Sequence, residues 1–413
     1  MRIKAQTIPK GYKQTEIGVI PEDWEVKELE NLVRFNNGKA HEQFIKNDGK
    51  YIVVNSKFIS TEGKVYKTSS SCLSPLYKEE IVMVMSDIPN GKALAKCYFI
   101  KNDDKYTLNQ RICSFKSLNS DSLYLFYKIN RNQYFINFDS GVGQTNLKRN
   151  EVLSCPIAIP KSKSEQVSIA TVLSDTDVLI EKLEKLIAKK QAIKQGTMQQ
   201  LLTGKKRLPG FSGEWETKKL GDIANFLKGT GLSKNKLTNN GRYSCILYGE
   251  LFTTYSQIIK KVKSTTNFKE GLGSMKGDIL MPGSTTTTGI DLAIASVVQK
   301  DNILLGSDLI VIREKKLNNY NSEFLANYIT HIAKNKIAEI TQGITIIHLH
   351  SSRIRDVFVN IPKSIKEQTA IAAILSDVDM EIEKLENKFS KYKQIKIGMM
   401  QQLLTGKIRL IKN

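Results

Sequence analysis

The chain contains a long internal repeat, which constrains its architecture more than any other feature. Residues 198–208 read MQQLLTGKKRL, and residues 400–410 read MQQLLTGKIRL, about 202 positions later. This pair ends a longer match, in which residues 159–208 align with 361–410 without a gap and are identical at about 31 positions. A period of this length is far too long for a solenoid of short repeats. The sequence therefore predicts two pseudo-equivalent halves in one polypeptide.

A second repeat lies upstream of the first. The stretch DWEVKELENLVRFNNGK (23–39) parallels EWETKKLGDIANFLKGT (214–230), and the only two tryptophans, Trp24 and Trp215, occupy matching positions. Between the repeats the two halves share little sequence. Each half is thus a variable region followed by a near-identical segment.

The near-identical segment has the signals of a long helix. Each copy opens with Ser-x-x-Glu after a proline, at 162–165 and at 364–367. In such a capping box the serine accepts from a backbone N–H, and the glutamate reaches back to the cap. Gly204 and Gly406 follow as C-terminal stops. At roughly 1.5 Å per residue, an uninterrupted helix from Glu165 to Thr203 would span about 58 Å.

Apolar residues recur along both copies at alternating spacings of four and three, which is the heptad seam of a coiled coil. Thr176 and Lys190 interrupt the first seam. The Leu-Ser-Asp triplets at 173–175 and 375–377 are candidate positions for a kink or break. Because only a partner can bury such faces, we expect each helix to pair with the other copy. The predicted pairing residues are Ile169, Leu173, Ile180, Leu183, Ile187, Ile371, Leu375, Val378, Ile382, Leu385, Phe389 and Tyr392.

The variable regions predict compact α+β domains. The runs KYIVVNSKFIS, EEIVMVMSDIPNGKALAKCYFI, YSCILYGELF and GDILMPGSTTTTGIDLAIASVV alternate apolar stretches with turn residues, which predicts short β-strands. Residues 120–132 and 321–340 predict helices in equivalent places. The predicted fold class is α+β, with two pseudo-equivalent domains joined by two long helices. The expected boundaries are 1–158 for the first domain, 159–207 for the first helical region, 208–360 for the second domain and 361–413 for the second helical region.

The charge of the chain favours a polyanionic ligand. The net charge is +21 and the pI about 9.5, and the excess is spread along the chain rather than held in a tail. A spread excess is typical of a basic surface that follows a nucleic acid. No run approaches the roughly 18 apolar residues of a transmembrane helix, and the N-terminus has no apolar signal region. Five scattered cysteines without a CxxC pair favour reduced thiols, a cytoplasmic protein and no structural zinc.

Taken in order, the motifs resemble the specificity subunits of type I restriction–modification systems. They are the proximal IPKGYKQTEIGVIPEDWEVKEL, the Glu-Gln starts and QQLLTGK ends of both repeated segments, LYGELF (247–252) and GDILMPGS (277–284). The resemblance covers essentially the whole chain.

That resemblance implies two target recognition domains, each reading one half of an asymmetric bipartite DNA site. It implies that the helices form an antiparallel coiled-coil spacer, with pseudo-twofold symmetry, that fixes the gap between the half-sites. The subunit itself would do no chemistry. Two S-adenosylmethionine-dependent modification subunits would dock on it and methylate adenine, and restriction subunits would join to give a nuclease that uses ATP and Mg²⁺ in host defence.

The residues agree with a role without catalysis. The chain has no GxxxxGK[ST] phosphate loop and no Asn/Asp-Pro-Pro-aromatic tetrapeptide of amino-methyltransferases. The stretches 25–27 and 216–218 resemble the Glu-x-Lys end of a nuclease site, but no paired acidic strand precedes them, which favours a solvated strand or turn. His348 and His350 offer two metal ligands without a third, which favours a framework or DNA-facing pair.

Polar loops between strand runs are the candidate DNA contacts. Lys and Arg bind phosphates, while Asn and Gln suit adenine and Arg suits guanine in the major groove. Loops 86–92 and 283–289 lie at matching positions, although both could equally be plain hairpin turns. Lys148, Arg149, Arg353 and Arg355 are the expected phosphate contacts. The full candidate set is Ser86, Asn90, Lys92, Asn109, Gln110, Arg111, Gln144, Asn146, Lys148, Arg149, Ser284, Thr285, Thr286, Thr287, His348, Arg353 and Arg355.

Two other functions remain open from the sequence. One is the specificity subunit of a related system, in which nuclease and methylase are fused in the partner chain, and the neighbouring genes would identify it. The other is a coiled-coil scaffold without a DNA role, which the charge and the two full domains argue against. Salt-sensitive binding to duplex DNA would distinguish a DNA-binding protein from such a scaffold.

Overall fold

The computed structural model of the protein describes residues 8–88, 92–103, 105–316 and 318–410. The chain forms two compact units. The first unit consists of residues 1–183 with 388–413, and the second of residues 184–387. Each unit therefore contains one variable region together with a part of both repeated segments.

The elements of the first unit alternate short strands and short helices. Its strands are β1 (Tyr12–Thr15), β2 (Gly18–Pro21), β3 (Trp24–Glu28), β4 (Val33–Asn37), β5 (Tyr51–Val54), β6 (Lys67–Ser69), β7 (Pro75–Leu76), β8 (Ile81–Val84), β9 (Ser86–Asp87), β10 (Cys97–Phe99), β11 (Tyr106–Leu108), β12 (Ile112–Ser117), β13 (Thr145–Asn146) and β14 (Pro156–Pro160). Its helices are α1 (Ser56–Ser60), α2 (Ser122–Ile129), α3 (Gln133–Ile136), α4 (Arg149–Leu153) and the start of α5 (Lys163–Leu201).

The second unit has a similar succession of elements, with strand β18 as an addition and the β1–β2 pair belonging to the first unit. Its strands are β15 (Trp215–Lys219), β16 (Ala224–Lys228), β17 (Tyr243–Ile246), β18 (Ile258–Ile259), β19 (Ser264–Thr266), β20 (Leu272–Gly273), β21 (Ile279–Pro282), β22 (Ser284–Thr285), β23 (Ser296–Val298), β24 (Leu304–Leu305), β25 (Leu309–Glu314), β26 (Ile347–His348) and β27 (Phe358–Pro362). Its helices are α6 (Leu220–Ile223), α7 (Glu250–Thr253), α8 (Ser322–His331), α9 (Lys334–Glu339), α10 (Ser351–Ile354) and the start of α11 (Ile365–Leu403).

The sheets of the two units have matching strand orders. The main antiparallel sheet is β10-β8-β12-β4 in the first unit, and the second has β16-β25-β21-β23 with β18 added at its edge. A mixed four-stranded sheet, β6-β5-β11-β7, corresponds to β19-β17-β24-β20. The pairs β3–β14 and β15–β27 bring the entry and the exit of each variable region together. The predicted α+β architecture with two equivalent domains is confirmed.

Apolar runs explain the central strands. All four residues of β8 and all four of β21 are buried, which is typical of a strand covered on both faces. Helices α2 and α8 begin at polar caps, since Asp121 accepts from the Tyr124 N–H at 2.7 Å and Asn321 accepts from the Phe324 N–H at 2.9 Å. An uncapped end would leave these donors unpaired.

Two stretches that the sequence predicted as strand continue into short helices. After β5 the chain enters α1, because the Asn55 side chain accepts from the Phe58 N–H at 2.9 Å and caps a turn there. After β17 the chain likewise enters α7. Apolar pattern alone did not separate a strand from the helical turn that follows it.

The long helices pair antiparallel within each unit. In the first unit, Asp177 of α5 binds Lys396 of α11, and the Thr176 hydroxyl lies 3.9 Å from the sulfur of Met399. In the second unit, Lys190 lies 2.8 Å from Glu381, and Lys194 lies 2.5 Å from Asp379. In each unit, partners that lie later in α5 contact partners that lie earlier in α11, as in an antiparallel pair. The lysine that interrupts the first apolar seam is therefore neutralised by a carboxylate of the opposite helix.

The residues predicted to line the helix pairing are all buried or half-buried. The buried ones are Ile169, Leu173, Leu183, Ile371, Leu375 and Ile382. The half-buried ones are Ile180, Ile187, Val378, Leu385, Phe389 and Tyr392. The first turns of each helix also belong to a domain core, since Ile169 and Leu173 pack in the core of the first unit and Ile371 and Leu375 in that of the second.

The helices do not break at Leu-Ser-Asp, where the sequence offered a candidate interruption. Both α5 and α11 are continuous through the triplet over 39 residues each. Leu173 and Leu375 are fully buried in the domain cores, so tertiary packing keeps the helical path there. Serine and aspartate lower helix propensity by only a few tenths of a kcal/mol, which such packing overrides.

Candidate nucleic-acid interface

In the first unit, two short strands gather three of the candidate DNA-reading residues. Strand β9 pairs with β13, so that Ser86 lies opposite Asn146. The Gln144 side-chain amide donates to the Ser86 hydroxyl at 2.6 Å and to the Asn146 side-chain oxygen at 3.2 Å. Gln144 and Asn146 are exposed, whereas Ser86 is buried. Ser86 therefore orients the amides, and the amides form the outer surface.

Two aspartates fix the loops that carry this strand pair. The Asp87 carboxylate accepts from the N–H groups of Ile88, Ala93 and Leu94 at 2.9, 2.7 and 3.1 Å. Asp139 accepts from the Gly141 N–H at 2.9 Å and from a threonine hydroxyl of β13 at 3.0 Å. These carboxylates satisfy backbone donors that the tight turns would otherwise leave unpaired. The sequence reasoning did not assign them a role.

The turn at 109–111 adjoins the same strand pair. The Arg111 carbonyl accepts from the Met85 N–H at 3.1 Å, directly before β9. Gln110 and Arg111 are exposed, and Gln110 lies 3.4 Å from a Glu42 oxygen. Asn109 differs from its neighbours, since its side-chain oxygen is buried and has no hydrogen-bond partner among the described residues. Of the three predicted contacts here, two present their side chains outward.

The remaining candidates of the first unit are cations at the surface. Lys148 and Arg149 begin α4 immediately after β13, and both are exposed. The Arg149 guanidinium lies over the Phe35 ring at 5.4 Å, a cation–π contact that favours this position of the side chain. Lys92, which follows β9 in the chain, is exposed. Asn90, also predicted as a contact, lies outside the described residues.

The second unit repeats this strand pair with different side chains. Strand β22 pairs with β26, so that Ser284 lies opposite His348. The Ser284 hydroxyl donates to the Asp308 carboxylate and is buried. A Cβ on Gly283 would lie 2.8 Å from an Asp308 oxygen, so the close approach of these two residues requires glycine. Ser284 is thus a framework residue, as Ser86 is.

The threonines after β22 form a hydroxyl-rich turn. Thr285 and Thr287 share a hydrogen bond of 2.8 Å, and Thr287 and Thr288 both donate to Asp291, at 2.6 and 2.7 Å. These hydroxyls lower the pKa of the Asp291 carboxyl below its usual value. Thr286 is exposed beside them. The turn is therefore a rigid polar surface with a fixed negative charge at its base.

Histidine and arginine side chains occupy the other side of this strand pair. His348 and His350 are exposed, and their rings lie nearly parallel with centroids 6.3 Å apart. Arg353 and Arg355, in and directly after α10, are exposed as well. Among the described residues, no group of three or more histidine, cysteine, aspartate or glutamate side chains could hold a metal ion. The four side chains add basic groups and stacking surfaces to the edge of the unit.

The near-identical segments meet their own unit through a junction that the sequence analysis missed. In the first unit the Arg409 guanidinium binds both oxygens of Glu165, at 2.6 and 2.8 Å, and both oxygens of Asp23, at 2.8 and 2.7 Å. It lies over the ring of Trp24 at 5.9 Å. Arg409 lowers the pKa of the Asp23 carboxyl through these hydrogen bonds. The Ser162 hydroxyl accepts from the Glu165 N–H at 3.4 Å, as the predicted cap requires, while the Glu165 carboxylate binds arginine.

The second unit has the same junction. Arg207 binds both oxygens of Glu367, at 2.6 and 2.7 Å, and its guanidinium lies 6.0 Å from the ring centre of Trp215. Ser364 likewise accepts from the Glu367 N–H at 3.4 Å, as the predicted cap requires. Where the first unit has the Asp23 carboxylate, the second unit has the Gly213 carbonyl, which accepts from Arg207 at 2.5 Å.

The glutamine that follows each glutamate ties the long helix to its recognition region. The Gln166 amide donates to the Pro160 carbonyl at 2.8 Å and accepts from the Asp121 N–H at 2.9 Å. Gln368 makes the same two contacts with Pro362 and Asn321, at 2.7 and 2.8 Å. The sequence signal for this junction was that the Glu-Gln starts and the Gly-Lys-x-Arg-Leu ends are identical in the two repeated segments. Each copy builds the same junction from these shared residues.

No helix in the described parts of the chain has the length and apolar character needed to cross a membrane. All five cysteines are free, and four of them are buried.

Comparison with known proteins identifies relatives along nearly the whole chain. The family model described as "Type I restriction modification DNA specificity domain" matches twice, over residues 21–195 and 212–391. Two specificity subunits from Methanocaldococcus jannaschii are similar in sequence. That of the type I restriction enzyme MjaX is 24% identical over 97% of both chains, and that of MjaVIII is 23% identical over 95% of both.

Solved structures share the fold. The crystal structure of a type I restriction–modification S subunit from M. genitalium superimposes with a TM-score of 0.63, at 16% identity, covering 92% of this chain and 96% of that one. A chain from a structural study of type I complex assembly and conformational transition gives a TM-score of 0.52 at 14% identity, covering 94% and 99%.

Proposed function

This chain belongs to the type I restriction–modification DNA specificity family and is a specificity subunit, and on that premise we propose that it reads an asymmetric bipartite DNA site, one half with each unit. The two units share strand order, junctions and framework serines, yet the exposed side chains of their short strand pairs differ. Gln144 and Asn146 stand in one unit where Ile346 and His348 stand in the other. One framework with two different surfaces is what reading two unlike half-sites requires.

Affinity comes from the basic surface, and specificity from the polar one. A net charge of +21 allows many phosphate contacts, each of which releases counterions and adds to the salt dependence of binding. Lys148 and Arg149 flank the strand pair of the first unit, and Arg353 and Arg355 that of the second. We assign these four to phosphates. Exposed amides, hydroxyls and the His348 ring then face base edges.

The chain positions DNA for other subunits and performs no chemistry itself. The duplicated helices offer two equivalent surfaces, which suits two modification subunits, one for each half-site. Those subunits would bring S-adenosylmethionine, and restriction subunits would bring ATP and Mg²⁺. Because the substrate is cellular DNA, we place the complex in the cytoplasm, as part of host defence. Residues 1–158 and 208–360 are the two recognition domains in this proposal, and 159–207 and 361–413 form the spacer.

Methylome sequencing tests the proposal directly. Cells that carry this gene with its modification partner should methylate adenines in one bipartite motif, and cells without the gene should not. The purified chain alone, given S-adenosylmethionine, Mg²⁺ and ATP, should leave DNA unmodified and uncut. A continuous motif, or methylation that persists without the gene, would contradict the proposal, and so would activity of the chain alone.

A further inference from the structure

Each unit holds one apolar side chain outward at the tip of the loop that leads into its second short strand. Val142 is 84% exposed and Ile344 is 98% exposed. The two positions are equivalent, because each lies four residues before the residue that pairs with the framework serine, Asn146 in one unit and His348 in the other. Single exposed apolar residues are common on protein surfaces. Two at equivalent positions, in loops whose side chains differ apart from the preceding glycine and the final leucine, need a shared cause.

The loops that carry these tips have a defined shape. Gly141 and Gly343 precede the tips with φ values of +70° and +118°, a region in which other residues are strained. A Cβ on Gly343 would lie 2.0 Å from the Ile346 carbonyl oxygen. Backbone hydrogen bonds between Gln342 and His348, of 2.9 and 2.7 Å, close the second loop. The apolar side chain at each tip is therefore held outward by a loop of defined backbone conformation.

Other exposed apolar residues surround the same strand pairs. Ile88 follows β9 and is 69% exposed, and Ile290 and Ile346 are half-exposed beside β22 and β26. Water-exposed apolar surface is unfavourable, so a cluster of it marks a surface that a partner covers. The cations that follow each strand pair in the chain are exposed as well, which makes a polyanion the fitting partner.

We propose that Val142 and Ile344 are DNA-contacting tips, which enter a groove at each half-site and pack against apolar edges of the bases such as thymine methyl groups. The proposal rests on the DNA-reading function proposed above. Apolar side chains contact thymine methyls in the major groove, and aliphatic residues insert at base steps in the minor groove. Gln144 and Asn146 lie two and four residues after Val142, and His348 lies four residues after Ile344, where they can read polar base edges beside the apolar contact.

The test uses the full complex with its modification and restriction partners. The variants are Val142→Ser and Ile344→Ser, with Val142→Ile and Ile344→Val as conservative changes. Tyr77→Ser and Met275→Ser are matched controls. Tyr77 and Met275 are 48% and 53% exposed, occupy equivalent positions in the two units, and precede β8 and β21, whereas the strand pairs follow these strands. Binding is measured on a duplex that carries the motif found by methylome sequencing and on a duplex without it.

Each serine variant should weaken binding to the motif duplex about tenfold, which corresponds to about 1.4 kcal/mol. Binding to the duplex without the motif should stay within about twofold, and the slope of affinity against salt should not change, because no phosphate contact is lost. The conservative variants and the controls should bind like the wild type. Thermal unfolding of each variant at the wild-type temperature shows that the domain is intact.

Two results would overturn the inference. In the first, both serine variants bind the motif duplex as tightly as the wild type. In the second, they fail to assemble with the partner subunits while the isolated chain binds DNA normally, which would make the tips a protein contact. A wild-type complex that methylates no bipartite motif would refute the proposed function instead. The two failures are therefore distinguishable.

Discussion

Arg409 and Arg207 illustrate how single side chains hold each recognition region to the long helices. Glu165 and Glu367 are nearly fully buried, at 3% and 1% exposure, and each has both carboxylate oxygens bound by its arginine. A buried carboxylate without such a partner carries a large desolvation cost. The arginine therefore matters mainly because of the buried charge that it would leave behind.

We expect Arg409→Met to lower the free energy of unfolding of the first unit by about 3–5 kcal/mol, because Glu165 would be left buried and unpaired. The double variant Arg409→Met with Glu165→Leu should recover most of that loss, since no buried charge remains. Lys27→Met is the control, because the Lys27–Glu25 pair is exposed and such pairs contribute only about 0–1 kcal/mol.

Denaturant unfolding followed by tryptophan fluorescence measures this effect. A Trp215→Phe background leaves Trp24 as the sole reporter, and it lies in the affected unit. If Arg409→Met unfolds within about 0.5 kcal/mol of its background protein, the junction has no stabilising role.

His331 makes the second unit sensitive to acid. Burial, together with the nearby Lys194 and Lys334 and against the opposing effect of Asp379, lowers the pKa of its imidazole to about 4. The unfolded chain takes up a proton below a pH of about 6.5, while the folded chain stays neutral until about 4. Stability should therefore fall as the pH drops from about 6.5 to 4 and should not change through this group above 6.5. Urea midpoints of His331→Gln should lack that part of the pH dependence, whereas equal slopes in both proteins would refute it.

At the scale of the elements, helix length is the candidate ruler between half-sites. The chain passes from one unit to the other at residues 183–184 in α5 and at 387–388 in α11. Ion pairs on both sides of these points run antiparallel. Lengthening both helices there by a whole number of heptads keeps the apolar seam in phase. A change of helix length by whole heptads should therefore be measurable as a change in the gap between the two half-sites.

Inserting one heptad into each helix, after Leu186 and after Lys388, should widen the gap of the methylated motif by one to three base pairs and keep both half-sites. Seven residues add about 10.5 Å at roughly 1.5 Å per residue, and DNA rises about 3.4 Å per base pair. Each added base pair also turns a half-site by about 35°, so overall binding should weaken.

Methylome sequencing of cells with the insertion beside its partners provides the measurement. The same heptad placed in one helix alone is the control, and it should abolish methylation because the partners on one side of the insertion are then shifted along the helix by seven residues. Full methylation at an unchanged gap in the double insertion would show that something other than these helices sets the spacing.

At the scale of the whole molecule, each unit closes on itself. Strands β3 and β14 pair at the entry and exit of the first variable region, and β15 and β27 do so in the second. Each unit has its own core cluster, to which both long helices contribute. A region whose two ends lie side by side on a shared framework can be exchanged without disturbing the rest.

Replacing residues 24–158 with the recognition domain of another specificity subunit should change one half of the methylated motif and leave the other half and the gap intact. The physical reason is that the junction residues Glu165, Gln166 and Arg409 remain outside the exchanged segment. The reciprocal exchange of the second domain is the matched control and should alter the opposite half. A change in both halves after either exchange would contradict independent reading.

Taken alone, the sequence determined the duplicated architecture, the long helices with their glycine stops, the apolar seam and the family, because repeats, heptads and caps are local or periodic signals. Only the tertiary structure decided how distant segments meet. Strands β9 and β13 have two residues each and lie far apart in the chain, so no sequence pattern predicted that they pair. Ser86 and Ser284 proved to be framework residues, since hydrogen bonds to Gln144 and Asp308 and their burial depend on the fold. The glutamates of the helix caps bind arginines across more than 150 residues of sequence, and a local cap signal carries no information about so distant a partner.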